Sequence, residues 1–228
     1  MTRPTTQLMP VPLVPEISLY LVAEPVGLFD LAGGEFRSDE PPPFWAFVWA
    51  GGQALARYLL DHPAEVAGLR VHDEATGSGI VAIAAALAGA ADVTATDVDP
   101  AAVQAAHRNA VANGVNLGTG DDAGRGARPG TSDDAGRGVN LAASHDAAGG
   151  AGVDVLLAGD VFYSPAVAPL ITSRLRAARK QGVSVLVGDP GRGYFPEHLF
   201  EQVAEYVVPV PAALEDAETL ATGVWRMR

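Results

Sequence analysis

The chain has 228 residues, a length that suits one large domain, and its 48% apolar content is enough for a sizeable core. No run of about 18 apolar residues escapes charge or Pro/Gly punctuation, so no membrane span is predicted. The formal charge of -12 speaks against general nucleic-acid binding, where phosphate neutralisation supplies the affinity; it suits a cationic partner better, although solubility alone also accounts for it.

Cysteine is absent, which excludes disulfides, thiolate catalysis and cysteine-ligated zinc and fits a reducing cytoplasm. Met1 to Leu13 has neither the apolar core of a secretion signal nor the Arg-rich pattern of a transit peptide. Residues 1–43 read as a Pro-rich, irregular segment packing on the domain, with one apolar run, Ile17 to Ala23, that suits an edge strand or a short helix. Pro41, Pro42 and Pro43 close it and preclude helix there.

Phe44 to Leu60 reads as a helix entry and a helix, with Leu55, Tyr58 and Leu59 at helical spacing. Strand and helix then alternate: strand Val71 to Ala75, helix Ile80 to Ala88, strand Val93 to Thr96, and helix Pro100 to Ala112, stopped by Asn113-Gly114. After an interruption come strand Val153 to Ala158, helix Ala166 to Lys180 and strand Val183 to Val187. Helix Pro196 to Glu205 follows, and Tyr206 to Val210 and Gly223 to Met227 read as final strands. Repeated βα units imply a mainly parallel sheet with helices on both faces.

The interruption, residues 118–152, is rich in Gly, Ala and Asp and reads as a low-complexity surface loop. It carries a tandem duplication that begins just before it: Gly114-Val115-Asn116-Leu117 recurs as Gly138-Val139-Asn140-Leu141, and Asp121-Asp122-Ala123-Gly124-Arg125-Gly126 as Asp133-Asp134-Ala135-Gly136-Arg137-Gly138. The third strand of the sheet therefore begins at Val115 or at Val139. Val139 is favoured, because it leads through Ser144-His145-Asp146 to the next strand.

Four motifs fall at predicted strand ends, where open α/β sheets bind ligands. Asp73-x-Ala75-x-Gly77-x-Gly79 follows a strand and opens a helix, so small residues let a ligand approach the backbone and free N–H groups. The spacing is not that of a dinucleotide fingerprint, and a tight βα turn without a ligand is the plainer alternative. Asp97, in Thr96-Asp97-Val98-Asp99-Pro100, lies 20 residues beyond Gly77 and is placed to accept hydrogen bonds from ribose hydroxyls, whereas Asp99 suits a helix cap. Gly159-Asp160-Val161-Phe162-Tyr163 sets an acid and an aromatic at the same rim; capping by Asp160 and core packing by Phe162 is the alternative. Gly188-Asp189-Pro190-Gly191-Arg192 reads equally as a Pro-Gly turn or a further rim element.

Together with Pro43-Phe44-Trp45-Ala46-Phe47-Val48-Trp49-Ala50-Gly51-Gly52 and the terminal Val224-Trp225, these motifs resemble the class I S-adenosylmethionine (SAM)-dependent methyltransferases. The resemblance runs from about Pro42 to Arg228 and is stronger to the branch of electron transfer flavoprotein β-subunit lysine methyltransferases and nicotinamide N-methylase-like bacterial proteins. It implies a Rossmann-like α/β domain over residues 44–228, with a seven-stranded sheet whose last strand is antiparallel. It implies SAM as cofactor, with Trp49, Gly52, Ala75, Gly79 and Gly159 around it, Asp73 and Gly77 at its amino-acid end, Asp97 at the ribose and Asp146 at the adenine. Asp160 and Tyr163 match the acid-x-x-aromatic motif of the methyl-transfer site, and a protein presenting lysine is the implied acceptor. A small-molecule N- or O-methyltransferase and a catalytically silent SAM-fold module remain alternatives, and the oligomeric state stays open.

The chain departs from that family at His72, Glu74 and Ala75, where relatives usually have apolar residues or Gly. His72 and Glu74 should share one face of a central strand. They read either as a buried polar network or as an altered crevice. No HExxH-like cluster supports a metal.

Overall fold

The structure is a computed structural model, and it describes residues 5–23, 43–119, 138–142, 152–215 and 217–228. Two short strands, β1 (Gln7–Pro10) and β2 (Ser18–Leu21), open the chain as an antiparallel hairpin. The first segment is thus less irregular than its proline content suggests. A 3-10 turn, Phe44–Ala46, leads into α1 (Ala50–Asp61).

The βα alternation follows: β3 (Arg70–Glu74), α2 (Ile80–Leu87), β4 (Asp92–Thr96), α3 (Pro100–Ala112), β5 (Asn116–Thr119), β6 (Gly138–Ala142), β7 (Val155–Gly159), α4 (Ala168–Lys180) and β8 (Ser184–Asp189). Strand β9 (Phe200–Pro209), the short α5 (Ala212–Glu215) and β10 (Thr219–Met227) complete it. The strand order is β5-β6-β4-β3-β7-β8-β10-β9. Six neighbours run parallel, and β10 inserts antiparallel between β8 and β9.

Two expectations change. The sheet has eight strands among the described residues, not seven, because both copies of the duplicated segment form strands. The second copy, as favoured, lies beside β4, and the first adds an outer strand beside it. The helix expected over Pro196 to Glu205 is instead a 3-10 turn, Glu197–Leu199, followed by strand. Phe200-Glu201-Gln202-Val203-Ala204 sets its apolar residues at helical spacing, so the local pattern alone points to helix. The long partner β10, paired with β9 from Thr219↔Pro209 to Met227↔Phe200, decides for strand.

Strand alternation sorts the core into two layers. Val155 and Leu157 of β7 and Leu186 of β8 pack with α1 and α2 on one face. Leu156, Ala158, Val185 and Val187 pack with Ile171 and Leu175 of α4 on the other. Val71 of β3 belongs to the first layer, so Asp73 shares that face, while His72 and Glu74 turn toward α4.

The hairpin is held on α3 by two asparagines one helical turn apart. Tyr20 N–H donates to Asn109 Oδ1 (2.7 Å) and Ser18 N–H to Asn113 Oδ1 (2.9 Å). Buried Asn109 also donates through Nδ2 to the Ser78 carbonyl (2.8 Å), at the turn before α2. Asn109→Ala leaves a buried carbonyl and a hairpin N–H without partners. It should lower unfolding free energy by about 2–4 kcal/mol in urea titration and speed hydrogen exchange in residues 5–23.

Candidate active site

The carboxyl ends of β3, β4, β7 and β8 form one rim, and the strand order reverses at β3, with β4 on one side and β7 on the other. Such switch points open a ligand crevice. The turn after β3 is left-handed at Ala75 (φ 56°), Gly77 (φ 53°) and Gly79 (φ 85°). Ala75 therefore adopts a conformation that glycine takes without strain, which explains why Gly is usual there. A side-chain carbon at Gly77 would meet nothing within 4 Å, so this part of the turn faces open space.

Asp73 lies buried beneath the turn. Its Oδ2 accepts hydrogen bonds from Thr76 Oγ1 (2.6 Å) and Ala82 N–H (3.2 Å). Burial pushes its carboxyl up to about 7, against the lowering effect of these two donors. Asp97, at the end of β4, accepts from Gly77 N–H (2.9 Å) through Oδ2 and from Asp99 N–H (2.9 Å) through Oδ1. Partial burial raises its pKa too. Asp99 caps α3 by accepting from Ala101 N–H, as its place before Pro100 predicts.

Asp160 sits just after β7 in a left-handed conformation (φ 55°). It does not cap the helix that follows it, α4: its Oδ2 accepts from Gly52 N–H in the first turn of α1 (2.9 Å), and its Oδ1 pairs with Arg192 Nη2 (3.1 Å). Burial raises its pKa to about 6, while the Arg192 guanidinium and the Gly52 amide hold it back. Phe162 is core, in edge contact with Phe195 and Phe200. Tyr163 is 55% exposed on the rim, 6.2 Å between ring centres from Phe44, itself 45% exposed. Trp49 donates from its indole to the Phe44 carbonyl (3.0 Å), and the Arg192 guanidinium lies 5.9 Å from its ring centre.

What brings Asp160 to Gly52 is a very close packing of backbones. A Cβ on Gly188 would fall 2.0 Å from the Gly51 carbonyl oxygen, and one on Gly51 would fall 2.1 Å from the Gly188 carbonyl oxygen. A Cβ on Gly159 would lie 2.9 Å from Gly52 Cα. The first turn of α1 therefore rests directly on the ends of β7 and β8.

Trp49, Gly52, Asp73, Ala75, Gly77, Gly79, Asp97, Gly159, Asp160 and Tyr163 thus fall on or under one rim; Asp146 lies outside the described residues. His72 and Glu74 do not face the crevice. His72 Nδ1 lies 2.8 Å from Thr94 Oγ1, its Nε2 lies 3.2 Å from Thr96 Oγ1 and 3.4 Å from Glu74 Oε2, and Glu74 pairs with Arg174 of α4. They form the buried network rather than an altered crevice. Among the described residues no group of three His, Cys, Asp or Glu side chains could hold a metal. Sequence reasoning missed Arg192 and Glu215, whose carboxylate lies 2.8 Å from Arg192 Nη2. The reading of residues 188–192 as a rim element pointed toward the first; nothing in the sequence pointed to the second.

A family model for ribosomal protein L11 methyltransferases matches residues 54–120. The electron transfer flavoprotein β subunit lysine methyltransferase of Danio rerio is 36% identical over 220 residues, covering 94% of this chain and 76% of that protein. The chain belongs to this family. The Rattus norvegicus relative is 35% identical over 80% of this chain, which spans 66% of that protein's length. Among solved structures, an RNA methyltransferase candidate from Pyrococcus horikoshii matches with a TM-score of 0.50 and 15% identity, covering 84% of this chain and 89% of that one, a likeness of fold.

Gly188→Ala should force α1 away from the sheet. It is expected to cost about 2–3 kcal/mol by overpacking, read as a lower urea midpoint.

Proposed function

We propose that this chain is a SAM-dependent methyltransferase that acts on a lysine side chain of a protein. The observation that carries the reading is the convergence on one rim of the glycine turn, Asp97 and the Asp160–Tyr163 pair, in a chain related over 94% of its length to a lysine methyltransferase. Residues 44–228 are the transferase domain in this reading, with the N-terminal segment packed on it. No helix among the described residues is long and apolar enough to cross a membrane.

The rim fits the cofactor. Gly77 faces open space, Asp97 is anchored by two amides that leave further lone pairs for ribose hydroxyls, and Asp73 offers a buried carboxylate for the amino-acid end. Trp49, Gly52, Ala75, Gly79 and Gly159 complete the surround; Asp146 is assigned to the adenine by resemblance alone. The cofactor supplies an electrophilic methyl group on a sulfonium. The protein's part is mainly positioning: Asp160 orients the acceptor nitrogen, Tyr163 and Phe44 flank it, and the amine sheds its proton to water before transfer. Tyr163 and Phe44, exposed on the rim, favour a protein acceptor over a small molecule. The silent-module alternative drew on His72, Glu74 and Ala75, but two of these face away from the crevice and the third keeps the turn in a glycine-like conformation.

Incubation with labelled SAM and recombinant electron transfer flavoprotein β subunit should label a lysine. Asp160→Ala should lower transfer at least about a hundredfold while SAM still binds in calorimetry. Undiminished transfer by that variant would remove Asp160 from the reaction.

A second outcome follows from Asp73. Its carboxyl has a raised pKa of about 7, so it is protonated below that pH and ionised above it. Pairing with the cofactor's ammonium favours the ionised form. SAM affinity should therefore weaken as pH falls from 7 to 5.5, by at most about tenfold per unit. Asp73→Asn should bind SAM more weakly and lose that slope.

A further inference from the structure

Both oxygens of Asp160 are already engaged. Oδ2 holds the Gly52 amide, a contact fixed by the glycine packing beneath it. Oδ1 holds Arg192 Nη2, and with the side chain only 8% exposed there is little room for a third partner. An amine that is to sit on this acid must therefore take the place of the guanidinium.

Arg192 is built to give way. It comes from the loop after β8, whose turn is fastened by Gly191 and Arg192 N–H groups donating to Asp189 Oδ1. Its side chain is 23% exposed, and its buried Nε has no hydrogen-bond partner among the described residues. The same Nη2 that touches Asp160 lies closer to Glu215 Oε1 (2.8 against 3.1 Å), and Nη1 reaches Glu215 Oε2 at 3.4 Å. Glu215, 10% exposed, is thus a second seat already half occupied. Charge points the same way. Asp160, Glu215 and Arg192 together carry one net negative charge when both acids are ionised, and buried Asp189 stands beside them. An entering ammonium balances the group, with Arg192 wholly on Glu215 and the newcomer on Asp160.

We propose that Arg192 is a placeholder on Asp160, displaced onto Glu215 when the acceptor's amine enters, so that Arg192 and Glu215 are positioning residues for acceptor binding. This rests on Asp160 being the acceptor's seat, as proposed above. The exchange breaks and forms hydrogen bonds only.

Two measurements test it. In the first, the protein saturated with S-adenosylhomocysteine is titrated with n-butylammonium, a stand-in for the lysine side chain, and the Gly52 amide and Arg192 Nε–H resonances are followed by NMR. Both should shift together in the native chain. In Glu215→Gln, with a weaker second seat, the apparent affinity should drop about tenfold. A Gly52 shift with a motionless Arg192 signal, or no response at either, overturns the proposal whether or not the protein transfers methyl groups. The second is a kinetic cycle with recombinant electron transfer flavoprotein β subunit as acceptor. Glu215→Gln should raise KM for the acceptor about tenfold, with kcat and SAM affinity nearly unchanged, and this effect should vanish in the Arg192→Ala background. Persistence of the full Glu215→Gln effect without Arg192 overturns the exchange. Absence of all labelling by the native chain sinks the acceptor reading instead, and the titration still decides on Arg192.

Discussion

The site depends on how closely one helix can approach one sheet. Gly51 and Gly52 at the start of α1 meet Gly159 and Gly188 at the ends of β7 and β8, at separations that leave no space for a single methyl group. Because the helix rests on the strand ends, its free amides point at the rim, and the Gly52 N–H reaches Asp160. Asp160 in turn is held in a left-handed conformation that an aspartate tolerates better than most residues. Remove the glycine contact and the acid loses its anchor, the arginine its partner and Trp49 its position at the mouth.

The opposite face of the same sheet carries an unrelated polar load. His72 and Glu74 on β3, Thr94 and Thr96 on β4 and Arg174 on α4 form a network inside a layer that is otherwise aliphatic and aromatic. An isolated carboxylate there would be strongly unfavourable. The guanidinium from α4 supplies the missing charge, and the threonine hydroxyls take up the imidazole nitrogens. The network ties α4 to the two strands whose ends carry Asp73 and Asp97, while staying out of the crevice itself.

Most of the framework was legible because periodicity and punctuation agreed. Asp99-Pro100 and Asn113-Gly114 mark α3 at both ends, and the apolar strands between small-residue turns leave little choice. The failures share a cause. At Phe200 to Glu205 the local pattern favoured helix and a distant partner, β10, overrode it; at the duplicated segment the second copy took the place beside β4 and the first paired with the second. In the site, Asp73, Asp97 and Asp160 could be picked out because acids at strand ends have a known use. Arg192 and Glu215 could not be paired, since they lie 23 residues apart on separate elements and meet only through the fold. Nor does spacing reveal that Glu74 finds Arg174, 100 residues further on.

The outer strand β5 shows how a parallel sheet can widen. A segment able to lie alongside β4 already carries a backbone fit for parallel pairing, so a second copy of it brings its own neighbour. The pairing Leu117↔Val139 sets the two copies side by side, two residues out of their repeat alignment. A duplication that would disrupt a closed barrel or a tightly packed helical layer is absorbed here at an open margin, far from the strand ends that carry Asp160. Growth at the border and chemistry at the centre are thus separable in this architecture, and a lineage can lengthen the first without rewriting the second.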